Sequence, residues 1–279
     1  MARDAASRLL ADHWQRFAAR WRLQESPGQP ADEDIGFYQE AVRTWYEESR
    51  PAQPLALLLG VTPEITEMSW PPGTQVLAAD QSRVMIKAIW PGAALGFQAV
   101  CARWTALPLP AESRDIVIGD GCFSALQGGA YGAMAQSVRR VLRPSGRFVI
   151  RFYVRPEEAE PVEHVFADLF QRRIGSFFAF KWRLAMALHG TLDEGVRLAD
   201  IWNAWHAAVP RPDELAQHVG WPLAKVLTID DYRGMELRYT FPTLAEARAA
   251  LRDDFSEIAC GLPGYELGER CPTFVLAPR

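Results

Sequence analysis

The feature that most constrains the fold is a series of short apolar runs between residues 54 and 154, each separated from the next by a turn or a helix-length stretch. They are "PLALLLG" (54–60), "TQVLAAD" (74–80), "ALGFQAVCARW" (94–104), "RDIVIGDG" (114–121) and "RFVIRFYV" (147–154). Most are apolar at successive positions, which is typical of strands buried on both faces. Helical patterns such as "SRVMIKAIW" and "YGAMAQSVRRVLRPSG" (131–146) lie between them. This alternation predicts βαβ units and a mostly parallel sheet.

The flanking segments are predicted to be helical. Apolar residues recur at helical spacing over 5–23 and 33–48, before the first strand. After the last parallel strand, the stretch 156–222 is largely helical and rich in aromatic residues. We therefore predict an N-terminal helical extension (1–50) and a main domain (51–279), with a helical cap at about 156–222 over the carboxyl ends of the strands. The later run "KVLTIDDY" (225–232) is predicted to be a strand.

Composition excludes some classes of partner. The chain of 279 residues is 49% hydrophobic and 23% charged, with a net charge of −4. A nucleic-acid or membrane-surface binder needs a basic excess, which this chain lacks. No CxxC pair and no His/Cys cluster with metal-ligand spacing occurs, so we expect no metal and a reduced, cytoplasmic chain. Only three of the 30 basic residues are lysines, which is typical of a GC-rich bacterial genome.

The end of the first strand indicates a nucleoside ligand. Gly60 follows "LALLL" directly, where a glycine lets the chain turn sharply and lets a ligand approach the backbone. Asp80 ends the second strand twenty residues later, an interval at which an acid commonly binds ribose hydroxyls. The further glycines of a dinucleotide loop are missing, and Pro63 has no N–H to donate. A ribose-containing ligand without pyrophosphate fits this loop better.

These segments resemble the motifs of class I S-adenosylmethionine-dependent methyltransferases. The similar segments, in chain order, are "LLLGVTPE", "VLAAD", "WTALPLP", "DIVIGDG" followed by "CFSAL", and "VLRPSGRFVI". The resemblance covers about residues 51–153. It implies a seven-stranded doubly wound sheet with an antiparallel last strand, S-adenosylmethionine as cofactor and S-adenosylhomocysteine as product.

The resemblance also implies a set of cofactor-binding residues. Asp80 is expected at the ribose, Trp104 at the purine, and Thr62 and Glu64 near the methionine end. The full predicted set is Gly60, Thr62, Glu64, Asp80, Trp104, Thr105, Asp120 and Gly121. No catalytic base is evident from the sequence, and the candidates are His189, His206 and Tyr153.

The aromatic segment 176–206 favours a small-molecule methyl acceptor, because an apolar wall with few polar groups suits a small organic molecule. Two other functions remain open. One is a binding protein for S-adenosylmethionine or a nucleoside that does not catalyse transfer. The other is a nicotinamide-dependent oxidoreductase, against which the one-glycine loop argues. The sequence does not predict an oligomeric state.

Overall fold

The structure, a computed structural model, describes residues 13–279 and is built on nine strands. They are β1 Leu55–Leu59, β2 Gln75–Asp80, β3 Gln98–Cys101, β4 Arg114–Asp120, β5 Leu142–Arg151, β6 Val196–Arg197, β7 Arg238–Tyr239, β8 Phe255–Gly261 and β9 Thr273–Pro278. Seven of them form one sheet in the order β3-β2-β1-β4-β5-β9-β8, and β6 pairs with β7. Strands β1 to β5 are parallel, and β9 runs antiparallel between β5 and β8. The strand order reverses between β1 and β4, and ligands bind at the carboxyl edge of such a switch point.

Helices cover both faces of this sheet. A helix over 13–19 is α1, and the others are α2 Asp32–Ser49, α3 Pro63–Thr66, α4 Arg83–Ile89, α5 Tyr131–Val141, α6 Val162–Phe170, α7 Phe177–Ala187, α8 Leu198–Ala208, α9 Pro212–Val219, α10 Leu223–Val226 and α11 Leu244–Leu251. Because side chains alternate along a strand, Leu57 and Leu59 pack with α5 and α11 while Ala56 and Leu58 pack with α2 to α4. The predicted doubly wound fold is confirmed.

A second apolar core lies above the carboxyl ends of the strands, in the helices from α6 to α10. Phe177, Phe180 and Trp205 are buried there and stack edge-on or at a tilt with ring centroids 5.3–5.9 Å apart. This core includes Tyr153, just past β5, so it is continuous with the sheet. The division of the chain into an extension, a main domain and a cap remains our proposal.

Some predicted elements differ from the observed ones. The third strand is limited to Gln98–Cys101, because Gly92–Leu95 forms a 3₁₀ turn. The run 225–232 is helical rather than a strand. Its buried residues Val226, Ile229 and Tyr232 recur every third position, which is the 3₁₀ period. Helix α11 and strand β8 were not predicted, and the first part of the predicted helix 5–23 lies outside the described residues.

A buried ionic network joins α2 to the strand ends. Arg151, the last residue of β5, is fully buried and donates to both oxygens of Asp120, with Nη2–Oδ2 at 3.0 Å. Its Nη1 donates to Asp34 of α2 at 3.0 Å and to the Tyr265 hydroxyl at 2.7 Å. The Tyr38 hydroxyl donates to Asp120 at 2.9 Å. The planar guanidinium thus holds two carboxylates from separate elements in one fixed geometry.

Arg151→Met should lower the free energy of unfolding by about 3–5 kcal/mol, since it leaves Asp120 and Asp34 buried without a cation. Urea denaturation measures this loss. Arg43→Met is the matched control, because Arg43 forms ion pairs with Glu40 and Glu47 on the exposed face of α2. Exposed pairs contribute little, so the control should unfold close to the wild type. Equal losses in the two variants would contradict this role for the network.

Candidate active site

A cavity lies at the switch point of the sheet, between the strand ends and the second core. It encloses about 840 Å³, including the space at its mouth. The cavity floor consists of Leu59, Gly60, Val61, Thr62, Asp80, Trp104, Asp120, Gly121 and Cys122. The cavity roof consists of Trp14, Phe17, Trp21, Phe178, Lys181, Trp182, Tyr232 and Tyr239. Six of the eight predicted cofactor-binding residues are therefore brought together on the floor.

Gly60 shapes the loop above β1. Its φ of +101° lies in the left-handed region, and a Cβ built there would meet only Thr62 Oγ1, at 3.9 Å. Its N–H donates to the carbonyl of Ala79 at 2.9 Å, which ties the loop to β2. The following helix α3 is only four residues long and begins at Pro63. The loop therefore offers an open approach to the backbone without a phosphate cradle.

Asp80 lies on the floor at the end of β2. Its side chain is largely buried, and Oδ1 accepts a hydrogen bond from the Ser82 N–H at 2.6 Å. Burial raises the pKa of this carboxyl to about 6. No other hydrogen bond joins the carboxylate to residues 13–279, so it retains capacity to accept hydroxyl donors from a ligand.

Trp104 is fixed next to Asp80. Its indole N–H donates to the Ala79 carbonyl at 2.6 Å, the same oxygen that accepts from Gly60. One carbonyl thus sets the positions of the loop and of the indole ring. Thr105 follows in the same 3₁₀ turn but does not line the cavity.

Asp120 and Gly121 are held by the sheet. Both oxygens of Asp120 accept from Arg151. Gly121 has a φ of +60°, and a Cβ there would come within 2.4 Å of the Tyr153 ring. The Tyr153 hydroxyl donates to the carbonyl of Pro27 at 2.8 Å, and burial raises its pKa well above the usual value. Tyr153 lines the cavity as a protonated phenol, which does not suit it to act as a base.

Glu64 lies outside the cavity lining, in the first turn of α3. It is half-buried, its Oε2 is buried without a hydrogen-bond partner among the described residues, and burial raises its pKa. An unpaired carboxylate oxygen next to the β1 loop is a feature that a bound cation would satisfy.

The two histidine candidates lie away from the cavity. His189 Nε2 accepts from the Phe241 N–H at 3.0 Å and Nδ1 donates to the Gly190 carbonyl at 2.7 Å, so both ring nitrogens are used structurally. His206 stacks on Trp202, with ring centroids 4.6 Å apart. Neither histidine lines the cavity.

Sequence reasoning did not identify Lys181 as a site residue, although the structure places it on the cavity roof. The signal was available, since Lys181 is in the middle of the apolar helix "FFAFKWRLAMA". A lysine in the middle of such an apolar helix is expected to be buried, and buried lysines are rare enough to indicate a special role.

Two further findings concern the rest of the described chain. No helix within residues 13–279 is long and apolar enough to cross a membrane. Within the same range, no group of three or more His, Cys, Asp or Glu side chains is arranged to hold a metal ion.

Comparison with known proteins identifies the class. Residues 60–150 match the family model described as a methyltransferase domain. No curated protein matches the sequence. The segment 60–150 is therefore a methyltransferase domain, the resemblance to class I S-adenosylmethionine-dependent methyltransferases is confirmed, and S-adenosylmethionine is the cofactor.

Solved structures share the fold over almost the whole chain. One is the crystal structure of a putative Zn-dependent alcohol dehydrogenase from Rhodobacter sphaeroides, with 12% identity and a TM-score of 0.62 over 96% of this chain and 97% of that chain. Another is the PH0226 protein from Pyrococcus horikoshii OT3, with 13% identity and a TM-score of 0.51 over 89% and 92% of the two chains. At such low identity, these likenesses show the fold alone.

The residues on the cavity floor fit the cofactor. Asp80 has free acceptor capacity for ribose hydroxyls, and the space above Gly60 is open. Glu64 lies outside the lining, and its Oε2 has no hydrogen-bond partner among residues 13–279, so we propose that it attracts the ammonium group of the methionine end. The assignment of individual residues to parts of the cofactor is our proposal.

The affinity for S-adenosylhomocysteine should depend on pH through Asp80. Ribose hydroxyls donate to the ionised carboxylate, and the free protein protonates it as the pH falls through about 6. The dissociation constant measured by calorimetry should therefore rise below that pH, by roughly tenfold per unit well below it.

Asp80→Asn should weaken binding at pH 8 by roughly 1.5–3 kcal/mol, the contribution of a hydrogen bond to a charged group, and should remove the pH dependence. Asp253→Asn, on an almost fully exposed side chain, is the control and should keep the wild-type profile. An unchanged profile in Asp80→Asn would contradict the ribose assignment.

Proposed function

We propose that this protein transfers a methyl group from S-adenosylmethionine to a small organic acceptor bound under the aromatic cavity roof. The observation that best supports this proposal is that one cavity is lined both by residues at the ends of β1 and β2 and by aromatic side chains of α1 and α7. One space can thus hold the cofactor and an acceptor in contact. When bound, the cofactor supplies a sulfonium methyl that is already activated toward a nucleophile.

The protein's part in this reaction is alignment and exclusion of water. Asp80 and the loop at Gly60 would fix the cofactor, and Trp104 would stack on its base. The roof residues Trp182 and Phe178 would cover the acceptor. Holding both reactants in one dry cavity removes much of the entropic barrier to an in-line attack.

The walls of the cavity favour a small acceptor over a macromolecule. Seven of its eight roof residues, all but Lys181, are buried or half-buried aromatic residues. The net charge of −4 supplies no basic excess for nucleic acid. All four cysteines of the chain are free thiols in the structure, which supports our proposal that the protein works in the reducing cytoplasm.

Two alternatives make different predictions. A protein that binds the cofactor without transfer would keep the floor but release no methylated product. A nicotinamide-dependent oxidoreductase would need a pyrophosphate site, which the four-residue helix α3 with Pro63 at its start does not provide.

Incubating the protein with methyl-labelled S-adenosylmethionine and cell extract should place the label in small metabolites that pass a size-exclusion filter. The Asp80→Asn variant is the control and should transfer much less label at limiting cofactor, because its affinity for the cofactor is weakened. Label retained with RNA, DNA or protein would contradict the small-molecule acceptor. Binding of S-adenosylhomocysteine without any transfer would favour the non-catalytic alternative.

A further inference from the structure

Lys181 occupies an unusual position on the cavity roof. It lies in the middle of α7, and only 4% of its surface is exposed. It lines the cavity together with Phe178 and Trp182. No hydrogen bond or ion pair joins its ammonium group to any other residue within 13–279. A lysine with so little exposed surface and no such partner in this range is costly to bury, and its side chain lines the cavity, where a ligand would contact it.

The surroundings of Lys181 are aromatic. Its Nζ lies 4.0 Å from the ring centroid of Phe178 and 5.3 Å from that of Tyr232. These faces stabilise a cation modestly but accept no proton. The Phe177 ring, at 6.0 Å, adds a third apolar surface. A planar ligand that reaches Nζ would therefore be bordered by rings.

The charged groups nearest to Lys181 are already engaged. Asp231 forms an ion pair with Arg20 at 3.3 Å, and Glu25 forms one with Lys225. The other titratable groups packed near this part of the roof are Tyr232, Tyr239 and His13, and burial keeps all three neutral near pH 7. Within residues 13–279, Lys181 therefore forms no ion pair of its own.

Burial lowers the pKa of Lys181 to about 7, with Arg20 acting in the same direction and Asp231 and Glu25 opposing it. Near neutral pH the side chain thus exists partly as a neutral amine. A neutral amine on an apolar wall can accept a proton from a ligand and then bind the resulting anion.

We propose that Lys181 is the catalytic base for the acceptor, and that the acceptor is a planar molecule with an acidic hydroxyl, a phenol or an enol. This inference rests on the proposed methyl transfer. The amine takes the hydroxyl proton, the oxygen forms a bond to the methyl carbon, and the carbon–sulfur bond breaks to leave a neutral thioether. The proton remains on Lys181 and leaves to solvent with the product. A carboxylate acceptor is already ionised at neutral pH and would need no base.

The test uses 4-cyanophenol as the probe, on the full chain with and without S-adenosylhomocysteine. Wild-type protein at pH 7.5 should bind the probe as its phenolate, seen as a shift of the absorption band. Calorimetry in two buffers of different ionisation enthalpy should show little net proton release, since the proton moves to Lys181. Benzonitrile, which lacks the hydroxyl, and 4-cyanobenzoate, which is already ionised, are the comparison ligands.

Two variants distinguish a Lys181 that removes the proton from a Lys181 that only supplies a positive charge. Lys181→Met should weaken 4-cyanophenol binding by about tenfold to a hundredfold, the loss of a hydrogen bond to a charged group, and leave benzonitrile binding unchanged. Lys181→Arg keeps the charge but cannot take the proton, so phenolate binding should persist with about one proton released to buffer. Lys87→Met, on α4, is the control and should behave as the wild type.

Lys181→Met also reports on folding. A lysine whose pKa is lowered by burial destabilises the fold most at low pH, where it must carry its charge. The melting temperature of Lys181→Met should therefore exceed that of the wild type, and by more at pH 6 than at pH 9. This gain would also show that the variant is folded.

The outcomes distinguish this inference from the proposed function. Binding of S-adenosylhomocysteine together with equal 4-cyanophenol binding by wild type and Lys181→Met would overturn the role of Lys181 alone. The same conclusion would follow if only the binding of 4-cyanobenzoate depended on Lys181. It would also follow if none of the three probes bound. A failure of S-adenosylhomocysteine to bind would overturn the proposed function and the transfer step with it.

Discussion

The contact on which the rest of the site depends is the buried fork of Arg151 with Asp120 and Asp34. It joins the ends of β4 and β5 to α2, so the N-terminal segment is fixed relative to the switch point of the sheet. Tyr153 contacts the same guanidinium, with its hydroxyl 3.2 Å from Nη2. Tyr153 in turn packs against Trp182 of the roof, with ring centroids 4.9 Å apart, so the network reaches the roof through this ring.

Above this network, the cavity has two electrostatically different sides. Asp80 on the floor accepts one hydrogen bond from residues 13–279, and Glu64, which lies outside the lining, has an Oε2 without a partner in the same range. We propose that these two carboxylates contact the ribose and the positively charged methionine end of the cofactor. Among the described residues, the roof has one basic side chain, Lys181, surrounded by aromatic rings. In the proposed reaction, this arrangement would place the sulfonium of the cofactor near the floor and the oxyanion of the acceptor near Lys181.

The sequence was sufficient to predict the floor, because its residues are set by local structure. Gly60 and Asp80 end neighbouring parallel strands, and the carboxyl ends of such strands meet at one edge of the sheet. Two aromatic residues of the segment 176–206, Phe178 and Trp182, line the cavity at the strand ends, while its role as a cap remains a proposal. What could not be predicted were contacts between distant residues. Packing between elements far apart in the chain determines three such features: the ion pair of Arg151 with Asp120, the hydrogen bonds of His189, and the position of Lys181 on the cavity lining.

The run 225–232 was wrongly predicted as a strand because a short apolar run does not distinguish a strand from a 3₁₀ turn.

The most direct test of the account is a crystal structure of the protein with S-adenosylhomocysteine. Both ribose hydroxyls should donate to Asp80, the purine should lie against Trp104, and the sulfur should face the cavity roof on the side of Lys181. A ligand bound outside the cavity, or one whose ribose makes no contact with Asp80, would contradict it.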